Sequence, residues 1–148
     1  MISVAELNRL TLKHFADNWA FSPILWEMQN VHEDIDKALK DSEVKLVVSP
    51  YLEIFSVVAL EIPASLGMKK ADFAFNVVLA EPEGQGNKFT LEAVDELNAI
   101  YSTKDLRLSK LGSTNHAMLG FGEVELGSSE LVQGKYLSVA SVNCSTFF

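Results

Sequence analysis

The sequence has 148 residues, of which 48% are hydrophobic and 22% charged, and its formal net charge is −8. A chain of this length buries about 68–70% of its unfolded surface around one core, and the composition is globular rather than disordered, so a single soluble domain over 1–148 is expected. Twenty acidic against twelve basic side chains disfavour a sequence-specific nucleic-acid binder or an anionic-membrane binder, because phosphate recognition needs a basic stripe that releases counterions.

Cys144 is the one cysteine, which rules out an intrachain disulfide and suits a reducing compartment. The N-terminal run Met1-Ile2-Ser3-Val4-Ala5-Glu6 has no basic stretch and no long apolar segment, so no signal peptide is expected. No window reaches the about 18 uninterrupted apolar residues of a membrane span. These features predict a protein that folds in a cytoplasm.

Ser3 followed by Glu6 fits a capping box, and Val4, Leu7, Leu10, His14, Phe15 and Trp19 recur at helical steps. A first helix is predicted there, stopped before Pro23. Ile24-Leu25-Trp26 reads as a brief strand. Asn30 to Lys40 carries acids first and lysines last, the order that complements a helix dipole, and predicts a short surface helix or turn. The cluster Glu33, Asp34, Asp36 reads as a solvated face.

Val44 to Val48 predicts a strand ending at Pro50, and Leu52 to Ile62 a second one ending at Pro63. Ala71, Phe73, Phe75, Val77 and Leu79 alternate with polar or small residues, the clearest strand in the chain. An antiparallel hairpin is expected from these neighbours. The stretch Glu81-Pro82-Glu83-Gly84-Gln85-Gly86-Asn87 predicts a loop. A second helix follows from about Thr90 to Tyr101, capped by Thr90, with Leu91, Val94, Leu97, Ile100 and Tyr101 on its buried side. Three strands close the chain, at Asp105–Leu111, Ala117–Leu126 and Lys135–Cys144, with a bulge or bend at Gly120-Phe121-Gly122.

Strands that follow one another without helices between them favour antiparallel pairing. The predicted class is α+β: a mainly antiparallel sheet of about five or six strands, with two principal helices packed on one face.

Residues that carry chemistry are sparse. His14, His32 and His116 lack a second ligand at metal-binding spacing, and His14 falls on the buried stripe of the first helix, where one hydrogen-bond partner satisfies it. Ser113 and His116 share a loop without a nucleophile elbow around them. Cys144 reads as a buried, inert thiol. Gly84-Gln85-Gly86 lacks the rest of a phosphate-binding fingerprint. Glu123 and Glu125, two apart on a strand, point to one solvent face. No catalytic residue, no cofactor and no metal ligand is therefore assigned, and the chain is expected not to be an enzyme. The apolar surplus lies at Trp26, Phe147 and Phe148. These aromatics either fold back onto their own core or anchor a subunit interface.

The layout resembles the tail-terminator, or tail-completion, proteins of long-tailed bacteriophages and prophages. An N-terminal amphipathic helix leads to Phe21-Ser22-Pro23-Ile24-Leu25-Trp26-Glu27-Met28-Gln29-Asn30, which is similar to the family's apolar-Trp-then-Asn approach to the sheet. Val77-Val78-Leu79-Ala80-Glu81-Pro82-Glu83-Gly84-Gln85-Gly86 resembles its strand ending in a Pro- and Gly-containing loop. Gly134-Lys135-Tyr136 resembles the start of its terminal strand. The resemblance implies a virion-tail subunit, assembled in the bacterial cytoplasm, that forms a homo-oligomeric ring, usually a hexamer. Such a ring ends the tail tube and contacts tube and head-connector proteins. An acidic ring suits DNA passage without tight phosphate contacts. The alternative reading is a small acidic protein-binding module, secretion-chaperone-like or immunity-like.

Overall fold

The computed structural model describes residues 3–26, 30–59, 69–84, 86–109 and 116–148. Among these residues three helices and six strands follow in the order α1 (Val4–Asn18), α2 (Val31–Leu39), β1 (Val47–Ala59), β2 (Lys69–Pro82), α3 (Lys88–Tyr101), β3 (Asp105–Ser109), β4 (His116–Leu126), β5 (Glu130–Val132) and β6 (Lys135–Phe147). All strands join one sheet of order β1-β2-β6-β4-β3, with β5 also on β6, and every ladder is antiparallel. The α+β class is as predicted, and so is the number of strands.

The capping box starts α1: Glu6 N–H donates to Ser3 Oγ at 3.1 Å and Ser3 N–H to Glu6 Oε2 at 3.2 Å. Its stripe Leu7, Leu10 and Phe15 is buried. On β2 the alternating set Ala71, Phe73, Phe75, Val77 and Leu79 is buried to 1% exposure or less. These residues pair with Thr146, Cys144, Val142, Ala140 and Ser138 of β6. That first face of the sheet meets both long helices. Phe75 lies 5.5 Å from the Phe15 ring and 5.1 Å from the Tyr101 ring, and Tyr101 lies 4.9 Å from Phe121. His14 Nδ1 of α1 reaches Tyr101 Oη of α3 at 3.4 Å. Burial lowers the His14 pKa below its ordinary value, opposed by the nearby Asp17 carboxylate.

The second face carries α2, which lies against β1 and β2. Ile35, Val47 and Ala80 are buried, yet none belongs to the main core, and Val47 pairs with Ala80 on the face turned away from Phe75. Of the short surface helix or turn expected over Asn30 to Lys40, the structure has the helix, Val31–Leu39.

Four expectations are corrected. Pro50 does not end a strand: β1 runs through it, paired Pro50 to Val77. β1 is an edge strand, where a residue without an N–H is tolerated because only one side of the backbone is committed to the ladder. Residues 60–62 of the predicted second strand, and its stop at Pro63, lie outside the described residues. α3 begins two residues earlier than predicted, and its buried face is turned by one residue: Thr90, Ala93, Leu97 and Tyr101 are buried, while Leu91 faces solvent at 48% exposure. Thr90 is no N-cap. Its hydroxyl donates to Glu81 Oε2 at 3.2 Å, while Phe89 N–H donates to Glu81 Oε1 at 2.8 Å.

Glu81 therefore does not belong to a loop. It ends the buried alternation of β2 and, fully buried, turns its carboxylate onto the first turn of α3, where unpaired N–H groups and the dipole favour an anion. β5 went unpredicted. It is three residues long and joins β6 through Gln133 (φ 50°) and Gly134 (φ 80°), a two-residue hairpin turn with both central residues at positive φ. The bulge expected at Gly120-Phe121-Gly122 is present as a register shift between Phe121 and Val124.

Two outcomes follow. Glu81→Ala should cost about 1–3 kcal/mol in urea unfolding, the penalty for leaving buried donors unpaired, whereas a loss below about 0.5 kcal/mol, the scale of an ordinary surface change, would refute its capping role. For His14, the native imidazole resists the proton that the unfolded chain accepts near pH 6.5. Stability from this group is complete above pH 6.5 and declines as pH falls below it. Melting temperatures from pH 7 to pH 5 should drop less steeply in His14→Gln than in wild type.

Candidate functional site: an apolar edge strand

β1 changes character along its length. From Val47 to Pro50 it is buried, and from Tyr51 to Ala59 it is largely exposed. As far as Val48 the buried half is held on both sides: β2 pairs with one edge, and residues 23–25 run along the other. Ile24 forms a parallel bridge to Val48, Leu25 N–H donates to Val48 O at 2.8 Å and Val48 N–H to Pro23 O at 3.2 Å. Of the brief strand predicted at Ile24-Leu25-Trp26, a single bridge at Ile24 is present, with no strand at Leu25 or Trp26. Beyond Val48, no described residue pairs with the outer edge of β1.

The exposed half is nevertheless apolar. Tyr51 is 43% exposed, Phe55 60% and Val58 57%, with Ile54 and Val57 close to 40%. Ile54 pairs with Phe73 and Val57 with Ala71, which places both on the first face, while Tyr51 and Val58 lie on the second. The register slips between Ile54 and Ser56. Phe55 is the extra residue of that bulge, and such an insertion re-aims a side chain away from the regular alternation. Apolar groups therefore project from both faces and at the rim of an edge unpaired among the described residues.

On the second face the patch continues across the sheet. Val58 pairs with Lys70, Lys70 with Phe147, Phe147 with Met118 and Met118 with Arg107. Phe147 is 47% exposed and Met118 46%. Beside this row, a groove of about 550 Å³ is lined by Phe55, Asp72, Gly120, Gly122, Asn143 and Ser145 among others. Gly120 and Gly122 withhold side chains there: a Cβ at Gly120 would stand 3.2 Å from Asp105 Oδ1.

The three aromatics singled out from the sequence are separated. Trp26 is 44% exposed and Phe147 faces solvent, but Phe148 is 4% exposed and part of the main core. It exchanges two backbone hydrogen bonds with Lys69, at 2.6 and 2.9 Å, extending the β2–β6 ladder by one pair and turning its ring inward. Phe148 is thus spent on its own fold, which corrects its place among interface candidates. The sequence reading missed Tyr51, Ile54, Phe55, Val57 and Val58, because an apolar β-branched run reads as buried until its neighbours are known.

The groups that suggested chemistry are placed as follows. His14 is engaged with Tyr101. Cys144 is buried, and burial, with the Asp72 carboxylate second, pushes its thiol far above the ordinary value. Ser113 and the side chain of His116 lie outside the described residues. Glu123 and Glu125 are exposed. Gly84 and Gly86 take positive φ, as turn glycines do, and Gln85 between them lies outside the described residues. Among the described residues no three of His, Cys, Asp and Glu gather as a metal would require, and no helix is long and apolar enough to cross a membrane.

No protein-family model matches the chain, and no curated protein sequence matches it. Four chains of solved structures do. One of these is 17% identical, with a TM-score of 0.53, and the match covers 95% of this chain and 89% of that one. At this identity the likeness concerns the fold, and it extends over nearly the whole domain.

Proposed function

We propose that this chain is a structural assembly protein of a phage or prophage tail. In this reading its copies associate into a ring that ends the tail tube and meets the head connector. The observation that carries the assembly part is the exposed half of β1, where Tyr51, Ile54, Phe55, Val57 and Val58 are all more than a third exposed on an edge that no described residue pairs. Monomers seldom present a contiguous apolar patch of this kind, and a long apolar edge strand is a template for another chain. Glu53 is the one charged residue between Tyr51 and Ala59, so little desolvation of charge opposes burial there.

The phage-tail part rests on the resemblance at Phe21 to Asn30, Val77 to Gly86 and Gly134 to Tyr136. The structure places those three segments at the bridge onto β1, at the β2–α3 junction and at the β5–β6 turn, apart from residues 27–29 and Gln85, which lie outside the described residues. The charge of −8 favours a ring that DNA crosses without adhering to it. The protein-binding module remains the competing reading, since the same edge also accepts one extended segment of a partner by strand addition.

The readings separate by mass. Native mass spectrometry or analytical ultracentrifugation of the wild type should show a closed oligomer larger than a dimer, either alone or after addition of isolated tail tubes. Phe55→Asp and Val58→Asp should abolish it while changing the unfolding midpoint little, because both side chains are already in water. A protein that stays monomeric or dimeric with tubes present would defeat the ring and favour the binding module.

A further inference from the structure

Among the described residues α2 is the one helix on the second face of the sheet, and two side chains fasten it. Ile35 is 1% exposed and is its one fully buried residue. Asp36 Oδ1 accepts a hydrogen bond from Lys135 Nζ at 2.9 Å, joining α2 to the first residue of β6. Burial of that pair is lopsided: the Lys135 side chain is 2% exposed and the Asp36 side chain 45%. The ammonium has been taken out of water against a carboxylate that remains partly in it, and buried pairs come close to break-even between desolvation and attraction.

Docking carries a second cost. His32 Nδ1 is buried with no hydrogen-bond partner, and a polar atom left that way disfavours the state that buries it. At the start of α2 the Asn30 N–H donates to Asp34 Oδ2 at 3.1 Å, but the Asn30 side chain makes no bond to the helix, so this cap is one-sided where that of α1 is reciprocal. Nor does α2 share in the main core, which draws Leu7 and Phe15 from α1 and Leu97 and Tyr101 from α3.

We propose that α2 is a releasable flap, latched by Ile35 and the Lys135–Asp36 pair, which leaves the sheet as a unit while the main core stays folded. Release returns the Lys135 ammonium and His32 Nδ1 to water and uncovers Val47 and Ala80. It leaves the Phe15–Phe75–Tyr101 contacts untouched, because those lie on the opposite face. Local opening of this kind belongs to elements with few buried apolar contacts.

Hydrogen–deuterium exchange of the full chain tests the flap. In wild type, amides of residues 35–39 should exchange at least about tenfold faster than the slowest amides of α1 and α3, as a separate opening unit does. Asp36→Asn strands the buried ammonium and should speed exchange in 31–39 by about tenfold more, with α1 and α3 unchanged. Lys135→Met removes the need for a partner. It should bring exchange in 31–39 to the wild-type rate or slower, and adding Asp36→Asn to it should change little. Should Asp36→Asn alone fold poorly, the Lys135→Met pair of variants still carries the comparison. Exchange of all three helices at one common rate in wild type, or acceleration spread equally over them in Asp36→Asn, overturns the proposal.

Discussion

The contact of Phe75 with Phe15 on one side and Tyr101 on the other is the constraint on which the rest of the domain depends. Phe75 sits on β2, which is paired along its length with both β1 and β6, so its position is fixed in the plane of the sheet. The two rings above it fix α1 and α3 in the third dimension. Aromatic side chains give large buried area with a preferred tilt, and here the tilted pairs run on from Tyr101 to Phe121 of β4. Truncating any one of them would open a cavity shared by a strand and a helix, the kind of loss that costs about 3–5 kcal/mol.

With both long helices committed to one face, the two faces of the sheet are unequal. The first is closed by interlocking aromatics. The second holds the buried Ile35, Val47 and Ala80 where α2 lies against β1 and β2, and a polar stretch in which Ser141 Oγ donates to Asn76 Oδ1 at 2.6 Å. Further along, the row from Val58 to Arg107 crosses to the other edge. The same asymmetry explains why α2 is held by so little. A nine-residue helix with one buried side chain has no share in the packing that secures its neighbours.

How much of this was legible in the sequence depends on how local each signal is. The cap of α1 lies within four residues, Ser3 to Glu6, and was readable. The alternation of β2 was readable because both its pattern and its pairing are regular. Pro50 misled because the rule that proline ends a strand holds for strands paired on both sides, and only the sheet order shows β1 at an edge. Glu81 looked like a loop acid because its partners, Phe89 N–H and Thr90 Oγ1, are brought to it by the fold. On α3 the small Ala93 and the Thr90 bonded to Glu81 face the core in place of Leu91, a choice set by packing against the sheet that apolar periodicity alone does not reveal. Phe147 and Phe148 are neighbours in sequence and opposites in space, since consecutive residues of a strand face opposite sides.

The candidate site was the least legible part, for a physical reason. Residues 52–59 have the composition of a buried strand, and the periodicity of a strand that is apolar on both faces does not distinguish burial by its own chain from burial by another. The structure breaks that tie. β1 is buried from Val47 to Pro50, where residues 23–25 border it as far as Val48, and largely exposed from Tyr51 onward, and the bulge at Phe55 falls within the exposed half. A sequence that places Tyr51, Ile54, Phe55, Val57 and Val58 there, with Glu53 as their one charge, is poorly suited to an edge meant to stay in water. Edges of that kind carry lysine, charge or proline against unwanted pairing. The one proline of β1, Pro50, instead lies in its buried half, which leaves the apolar half open to another chain.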